Sequence, residues 1–324
     1  MNAGTRGVLA VLLFLLFVAV WSSTAVAGDG SAAKPKFAAP PARAVVETAK
    51  GRSYIRTRLN LSYKNGCKSC LLDLALPTES HSGPWPLIVV IHGGGWIEGD
   101  KSSFASDTYG VPGNIVDFAR LGFAAATINY RLSKEAPYPA ALEDCRAAIR
   151  WLREHAAEYQ LDVKQIGVYG NSAGGHLAML LGLLEDPADR GKPLEQSSRV
   201  QAVASDSGPI DLLADDRNGV LRTVIRRFMG GSPDGDRLAT FEQASPNHYV
   251  SAKGPPLLLI YGEADAQVDV KTADRFVAAL GEAGRKDVTY LRLAHVDHCP
   301  HSLQRIPYAT DAVDQFFLRT LRQN

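Results

Sequence analysis

Apolar residues fall along this chain in two alternating rhythms. Short unbroken runs at 87–91 (Leu-Ile-Val-Val-Ile), 123–128, 166–169, 200–204 and 257–261 have the pattern of strands buried on both faces. Residues 288–293 alternate like a strand with one wetter face. Between these runs, residues 140–157, 176–184, 271–283 and 310–321 read as helices. Strands alternating with helices predict an α/β domain with a mostly parallel central sheet flanked by helices. Two early strands, the second over 71–76, are joined across the turn signal Lys64-Asn65-Gly66 and predict an antiparallel edge. Residues 211–247 interrupt the alternation, with a helical stretch at 220–229, and predict a short helical cap insert.

The first 50 residues lie outside that rhythm. Arg6 precedes the apolar stretch 8–20, and Ala25-Val26-Ala27 is a small-x-small cleavage pattern. A comfortable membrane span needs about 20 apolar residues, so the stretch reads as a signal peptide over 1–27, cleaved after Ala27. A retained anchor is the alternative. Residues 28–50, rich in Ala, Pro, Lys and Gly, read as a flexible segment. The globular domain is expected over 51–324, long enough to bury a large core. The predicted location is therefore secreted or periplasmic.

Charge narrows the partners. The chain has 35 basic and 34 acidic residues. Removing the signal segment takes away only Arg6, which leaves 34 against 34. The cluster Arg222, Arg226 and Arg227 reads as one solvated helix face. Nucleic acid and anionic membrane surfaces are thereby poor candidates. There are 4 cysteines. Cys67 and Cys70 follow the hairpin turn and lead into a strand, which separates them from redox motifs that open a helix; they could bridge or stay free. Cys145 falls in a helix and reads as core, and Cys299 has no assigned role. No His, Cys and Asp set has metal-ligand spacing, and no cofactor is called for.

The chemistry is carried by four loops, each at the end of a predicted strand, where open α/β sheets place their sites. Gly170-Asn171-Ser172-Ala173-Gly174 follows the strand at 166–169 and opens a helix. That is the setting of a Gly-x-Ser-x-Gly nucleophile elbow, where a sharp turn lifts the serine oxygen beside a helix N-terminus. His92-Gly93-Gly94-Gly95-Trp96 follows the strand at 87–91, and its glycines leave backbone N–H groups open to a substrate oxygen. Gly262-Glu263-Ala264-Asp265 ends the strand at 257–261, and His295, His298 and His301 follow the strand at 288–293. Serine, then acid, then histidine is the chain order of α/β-hydrolases.

With these residues in view, the chain resembles the esterase and deacetylase branch of the α/β-hydrolases. It is similar to the hormone-sensitive-lipase-like enzymes and to bifunctional feruloyl/acetylxylan esterases. Further stretches carry the resemblance: Asn129-Tyr130-Arg131-Leu132, 139–144, Ser207-Gly208-Pro209-Ile210-Asp211, Ala244-Ser245-Pro246 and Pro255-Pro256. Two positions depart from the family pattern. Tyr261 stands where the acid loop usually has histidine, and Asp269 where it has proline. The resemblance implies Ser172 as nucleophile, His298 as base and Asp265 as acid, with His295, His301 and Asp269 as competitors. It implies an oxyanion hole from the N–H groups of Gly94, Gly95 and Ala173. His92 is expected to brace its loop, and Asp144 and Asp211 to be structural. Trp96 is expected either to line a substrate pocket or to pin the glycine loop. The expected function is serine ester hydrolysis of short-chain, acetyl or feruloyl esters, on small molecules or polysaccharides. The alternatives are an amidase or formamidase of the same fold, and a non-catalytic binding module.

Overall fold

A computed structural model describes residues 43–48, 51–77, 83–106 and 110–322. The expected signal peptide and most of the expected flexible segment lie outside the described residues. Part of that segment is corrected, however. Arg43–Thr48 forms strand β1, paired antiparallel with Gly51–Ser62 (β2), from Arg43 opposite Arg56 to Thr48 opposite Gly51. The composition of the segment as a whole hid Val45, Val46 and Thr48, β-branched residues suited to a strand that pairs with a long neighbour.

Among the described residues nine strands form one sheet in the order β1-β2-β3-β5-β4-β6-β7-β8-β9. The remaining strands are Leu71–Leu76 (β3), Trp85–Ile91 (β4), Ala124–Ile128 (β5), Leu161–Asn171 (β6), Ala202–Asp206 (β7), Leu257–Gly262 (β8) and Val288–Leu293 (β9). Strands β1, β2, β3 and β5 pair antiparallel, and every pairing from β5 onward is parallel. The antiparallel edge and the parallel body are both as the apolar pattern predicts.

Continuous apolar runs arise because both faces are covered. In β4, Leu87, Val89 and Ile91 point into one core with helices Ala140–Glu154 (α2), Ala173–Leu183 (α3) and Val270–Glu282 (α7). Ile88 and Val90 point into the other, against Ile115–Arg120 (α1) and Pro307–Leu321 (α8). All five of those β4 residues have no exposed surface. Helix α1 is a short element that the apolar periodicity does not announce; Asn114 caps it by accepting the N–H groups of Val116 and Asp117.

The insert between β7 and β8 holds Leu212–Asn218 (α4), Arg222–Met229 (α5) and Arg237–Gln243 (α6). Its apolar side, including Leu212, Ile225, Phe228 and Phe241, joins the core that contains α3. The predicted basic face is partly absorbed: Arg226 makes a paired contact with Asp216, and Arg222 donates to backbone carbonyls of Asp216 and Arg217. Cys67 and Cys70 form a disulfide at the β2–β3 turn. Cys145 and Cys299 are buried free thiols. Among the described residues no helix is long and apolar enough to cross a membrane.

Candidate active site

Strand β6 ends at Asn171 and α3 begins at Ala173, so Ser172 alone makes the turn. Its φ of 50° and ψ of −122° cost a residue with a side chain about 1–3 kcal/mol. Tertiary bonds hold it there. The Ser172 N–H donates to the Asp206 carbonyl at 2.8 Å, and the Ser172 carbonyl accepts the His176 N–H at 3.0 Å. A methyl group at Gly170 would overlap the Gly174 carbonyl, and one at Gly174 would overlap the Ile91 carbonyl. Both positions need glycine because the strand, turn and helix approach that closely.

Two other loops close on the serine. Ser172 Oγ lies 2.9 Å from His298 Nε2, and His298 Nδ1 lies 2.7 Å from Asp265 Oδ2. The carboxylate accepts the Nδ1 proton, which leaves Nε2 as acceptor for the serine hydroxyl. Asp265 Oδ1 accepts the N–H groups of Gln267 at 2.8 Å and Val268 at 2.9 Å, so its orientation is fixed from both oxygens. The two side chains are 6% and 0% exposed. The acid and histidine loops are tied directly: Glu263 N–H donates to Leu293 C=O, and Ala264 N–H to Val296 C=O, both at 2.9 Å.

The glycine loop lies against the same turn. A methyl at Gly93 would sit 3.2 Å from Ser172 Cβ. The Gly93 N–H donates to Asn171 Oδ1 at 2.9 Å, and the Gly94 carbonyl accepts the N–H groups of Ile97 and Glu98. The Gly94 and Gly95 N–H groups have no hydrogen-bond partner among the described residues. Ala173 opens α3, where the helix end carries partial positive charge. His92 is buried, stacks on Tyr130 at 4.5 Å, and its Nδ1 lies 2.7 Å from the Gly93 carbonyl. Burial lowers its pKa, so it braces the loop as a neutral ring.

Trp96 is packed against the insert and is not open to solvent. It is 1% exposed, stacks on Phe228 of α5 at 4.5 Å, and meets the edge of His176 at 5.1 Å. Val224 of α5 sits 3.6 Å from where a Gly95 methyl would be. The insert therefore packs directly on the glycine loop.

The competing residues are placed elsewhere. His295 is exposed. His301 is fully buried beside Tyr169 and Thr310, and burial depresses its pKa to about 3. Asp269 caps α7 by accepting the Lys271 N–H. Asp211 likewise caps α4, and Asp144 is buried in ion pairs with Arg131 and Lys64.

Two buried acids were not singled out by the sequence reading. The Asp206 carboxylate, at the end of β7, accepts the N–H groups of His301 and Ser302 and the Ser302 hydroxyl. Its own carbonyl holds Ser172, so Asp206 links the elbow to the histidine loop. Its only sequence signal is an acid that ends an apolar run. Asp215, in α4, is 2% exposed and lies beside the Asp265 loop.

A family model described as BD-FAE matches residues 72–280. The chain belongs to the BD-FAE family. This BD-FAE member is 32% identical over 250 residues to esterase LipQ of Mycobacterium tuberculosis, covering 76% of this chain and 58% of that protein. The chain thus spans under two thirds of the length of LipQ, and likewise 60% of LipM, a probable carboxylic ester hydrolase from the same organism. Its fold superposes on a truncated carbohydrate esterase from gut microbiota with a TM-score of 0.67 and 26% identity, covering 82% of this chain and 96% of that one. It also superposes on a bifunctional GH43-CE protein of Bacteroides eggerthii with a TM-score of 0.69 and 28% identity, covering 82% and 38%. These matches agree with the α/β-hydrolase fold expected from the sequence.

Proposed function

We propose that this BD-FAE member is an exported serine carboxylic-ester hydrolase. The observation that carries the reading is the hydrogen-bonded relay from Ser172 through His298 to Asp265, with bonds of 2.9 and 2.7 Å. A serine hydroxyl is a weak nucleophile until a base takes its proton, and His298 Nε2 is in place to do so. Asp265 holds the tautomer and stabilises the imidazolium that forms.

In the first step Ser172 Oγ attacks the ester carbonyl carbon and its proton passes to His298. The oxyanion is held by the N–H groups of Gly94, Gly95 and Ala173; losing one such donor costs on the order of 10²–10³ in turnover. His298 then protonates the departing alcohol, and water repeats the sequence on the acyl-enzyme. The helices at 211–247 act as a cap over the glycine loop. Relatives named as esterases support the ester class, and a neighbour named as a carbohydrate esterase supports saccharide esters, which we read as acetyl or feruloyl. The apolar stretch at 8–20 supports export, with cleavage after Ala27.

The test is hydrolysis of p-nitrophenyl acetate, butyrate, octanoate and methyl ferulate, with Ser172→Ala as control. Turnover is expected for the short esters and is expected to vanish in the control. A folded protein that turns over none of them would move the assignment to amide cleavage or to binding without catalysis.

A further inference from the structure

Asp206 ends β7 and Ser207 follows it, and this pair touches the elbow, the acid strand and the histidine loop at once. The Asp206 carbonyl accepts the Ser172 N–H at 2.8 Å. The Ser207 N–H donates at 2.8 Å to the carbonyl of Ile260, in the strand that leads to Asp265. Their side chains take the histidine loop. Ser207 Oγ accepts the Cys299 N–H at 3.0 Å. The Asp206 carboxylate accepts the N–H groups of His301 at 3.2 Å and Ser302 at 2.9 Å. Pro300 has no N–H. Every backbone N–H in the four residues after His298 is thus accepted by residue 206 or 207.

Nothing else is placed to take over. Asp206, Ser207, Cys299, His301 and Ser302 are each at most 1% exposed, so water cannot stand in for a lost acceptor. The backbone is also held in unusual shapes around this contact. Ser172, Ser207 and Cys299 have φ of 50°, 55° and 54°, a left-handed region that residues with side chains seldom occupy. Such strain persists only where neighbouring bonds over-determine it, and it gathers at functional sites.

The partners of Asp206 explain why an acid stands there. Oδ1 faces the His301 N–H and Oδ2 faces the Ser302 N–H, and an N–H can only donate. The Ser302 hydroxyl at 2.7 Å and the Tyr169 hydroxyl at 3.4 Å add two more donors at Oδ2. An amide at 206 would turn its NH2 group against one of the two N–H groups, whichever way it faced.

We propose that Asp206 and Ser207 are positioning residues for the general base: they fix the loop behind His298 so that its ring stays between Ser172 and Asp265 while the proton moves. His298 must take the proton from Ser172 and return it to the departing alcohol, and a displacement of about 1 Å costs on the order of 10² in turnover. The elbow itself is held by the Asp206 carbonyl, which a side-chain change leaves in place, so the side chains act through His298. The rate effect rests on the esterase reading; the clamp on the histidine loop does not.

The test uses full-length Asp206→Asn and Ser207→Gly proteins, with urea unfolding to measure the folded fraction of each. Glycine accepts positive φ, so the second variant removes the Cys299 acceptor without adding backbone strain. On p-nitrophenyl acetate, Asp206→Asn is expected to lower kcat by about 10² and Ser207→Gly by about tenfold, with KM within about twofold. In a His298→Ala background neither change is expected to lower the residual rate further, because residues that act as a unit are non-additive. Losses that appear in KM, that persist undiminished without His298, or that are no larger than the unfolded fraction would overturn the proposal. A second readout is independent of turnover. In Ser172→Ala protein, the His298 Nδ1 proton that is bonded to Asp265 at 2.7 Å is followed as a far-downfield NMR resonance, assigned by its loss in His298→Ala. Asp206→Asn and Ser207→Gly are expected to broaden it through faster exchange with water, and a resonance unchanged in both would sink the clamp. If the resonance responds but the unmodified protein cleaves no ester, the esterase reading fails and the clamp stands.

Discussion

At Ser172 the chain accepts a backbone conformation that most residues avoid, and the surrounding groups show what this achieves. The turn places Oγ 2.9 Å from His298 Nε2 while its N–H remains bonded to Asp206. His298 in turn has one acceptor, Asp265, whose second oxygen is fixed by two N–H groups. Removal of any member should be severe. His298→Ala is expected to lower kcat by on the order of 10⁴–10⁶, and Asp265→Asn by about 10⁴, because the amide favours the wrong tautomer. His295→Ala should change kcat by less than about twofold, since its side chain is exposed and outside the relay. Steady-state rates on p-nitrophenyl acetate check all three; a loss confined to His295→Ala would reassign the base. These positions were legible because each lies in a short motif at a strand end. Asp206 was not, because its importance comes from burial and from partners far along the chain. Trp96 was open for the same reason: an aromatic beside a glycine loop can face substrate or core, and its packing on Phe228 and His176 comes from elements far along the chain.

The insert helices and α3 are joined by an aromatic cluster at the level of whole elements. Phe228 of α5 stacks on Trp96 and meets the edges of His176 and Tyr138. Aromatic pairs of this kind contribute about 0.5–1.5 kcal/mol each beyond the area that they bury. His176 also lies 2.7 Å from the Ala244 carbonyl through Nε2, which makes Nε2 the protonated nitrogen. Burial lowers its pKa to about 4, so it stays neutral in the fold but gains a proton near pH 6.5 once unfolded. Its contribution is complete above about pH 6.5 and is lost as pH falls toward 4, by about 1.4 kcal/mol per unit. His176→Gln keeps a donor for the Ala244 carbonyl but does not titrate. Urea unfolding at pH 6.5 and pH 5 should show the wild type losing stability relative to the variant by about 2 kcal/mol over that interval. Equal changes in the two proteins would show that His176 is not the linked group. The sequence placed this helix well, but it gave no sign that its histidine was a buried donor to a loop 68 residues away.

Across the molecule, the antiparallel edge and the parallel body divide the work. Every residue of the relay and the glycine loop comes from β4, β6, β8 or β9, at strand ends brought together by parallel pairing. The antiparallel edge carries the disulfide instead. Cys67 and Cys70 close a loop only 3 residues apart in sequence, and Cys70 is fully buried against the core. A crosslink persists in an oxidising compartment, which is consistent with the proposed export. Because the loop is short, the chain-entropy gain is small, about 2 kcal/mol. Of the nearby ties, Lys64 to Asp144 does not involve the sulfur atoms, and the Ser69 hydroxyl that meets Glu135 also lies 4.0 Å from Cys67 Sγ, a contact that a serine hydroxyl at 67 can replace. The double change Cys67→Ser/Cys70→Ser should therefore lower unfolding stability by about 2 kcal/mol while kcat on p-nitrophenyl acetate stays within about twofold. Denaturant unfolding alongside steady-state rates separates the two effects. A large fall in kcat at full folding would mean that the edge hairpin positions the site, through the Ser133 N–H and hydroxyl that both donate to the Trp96 carbonyl at 2.8 Å.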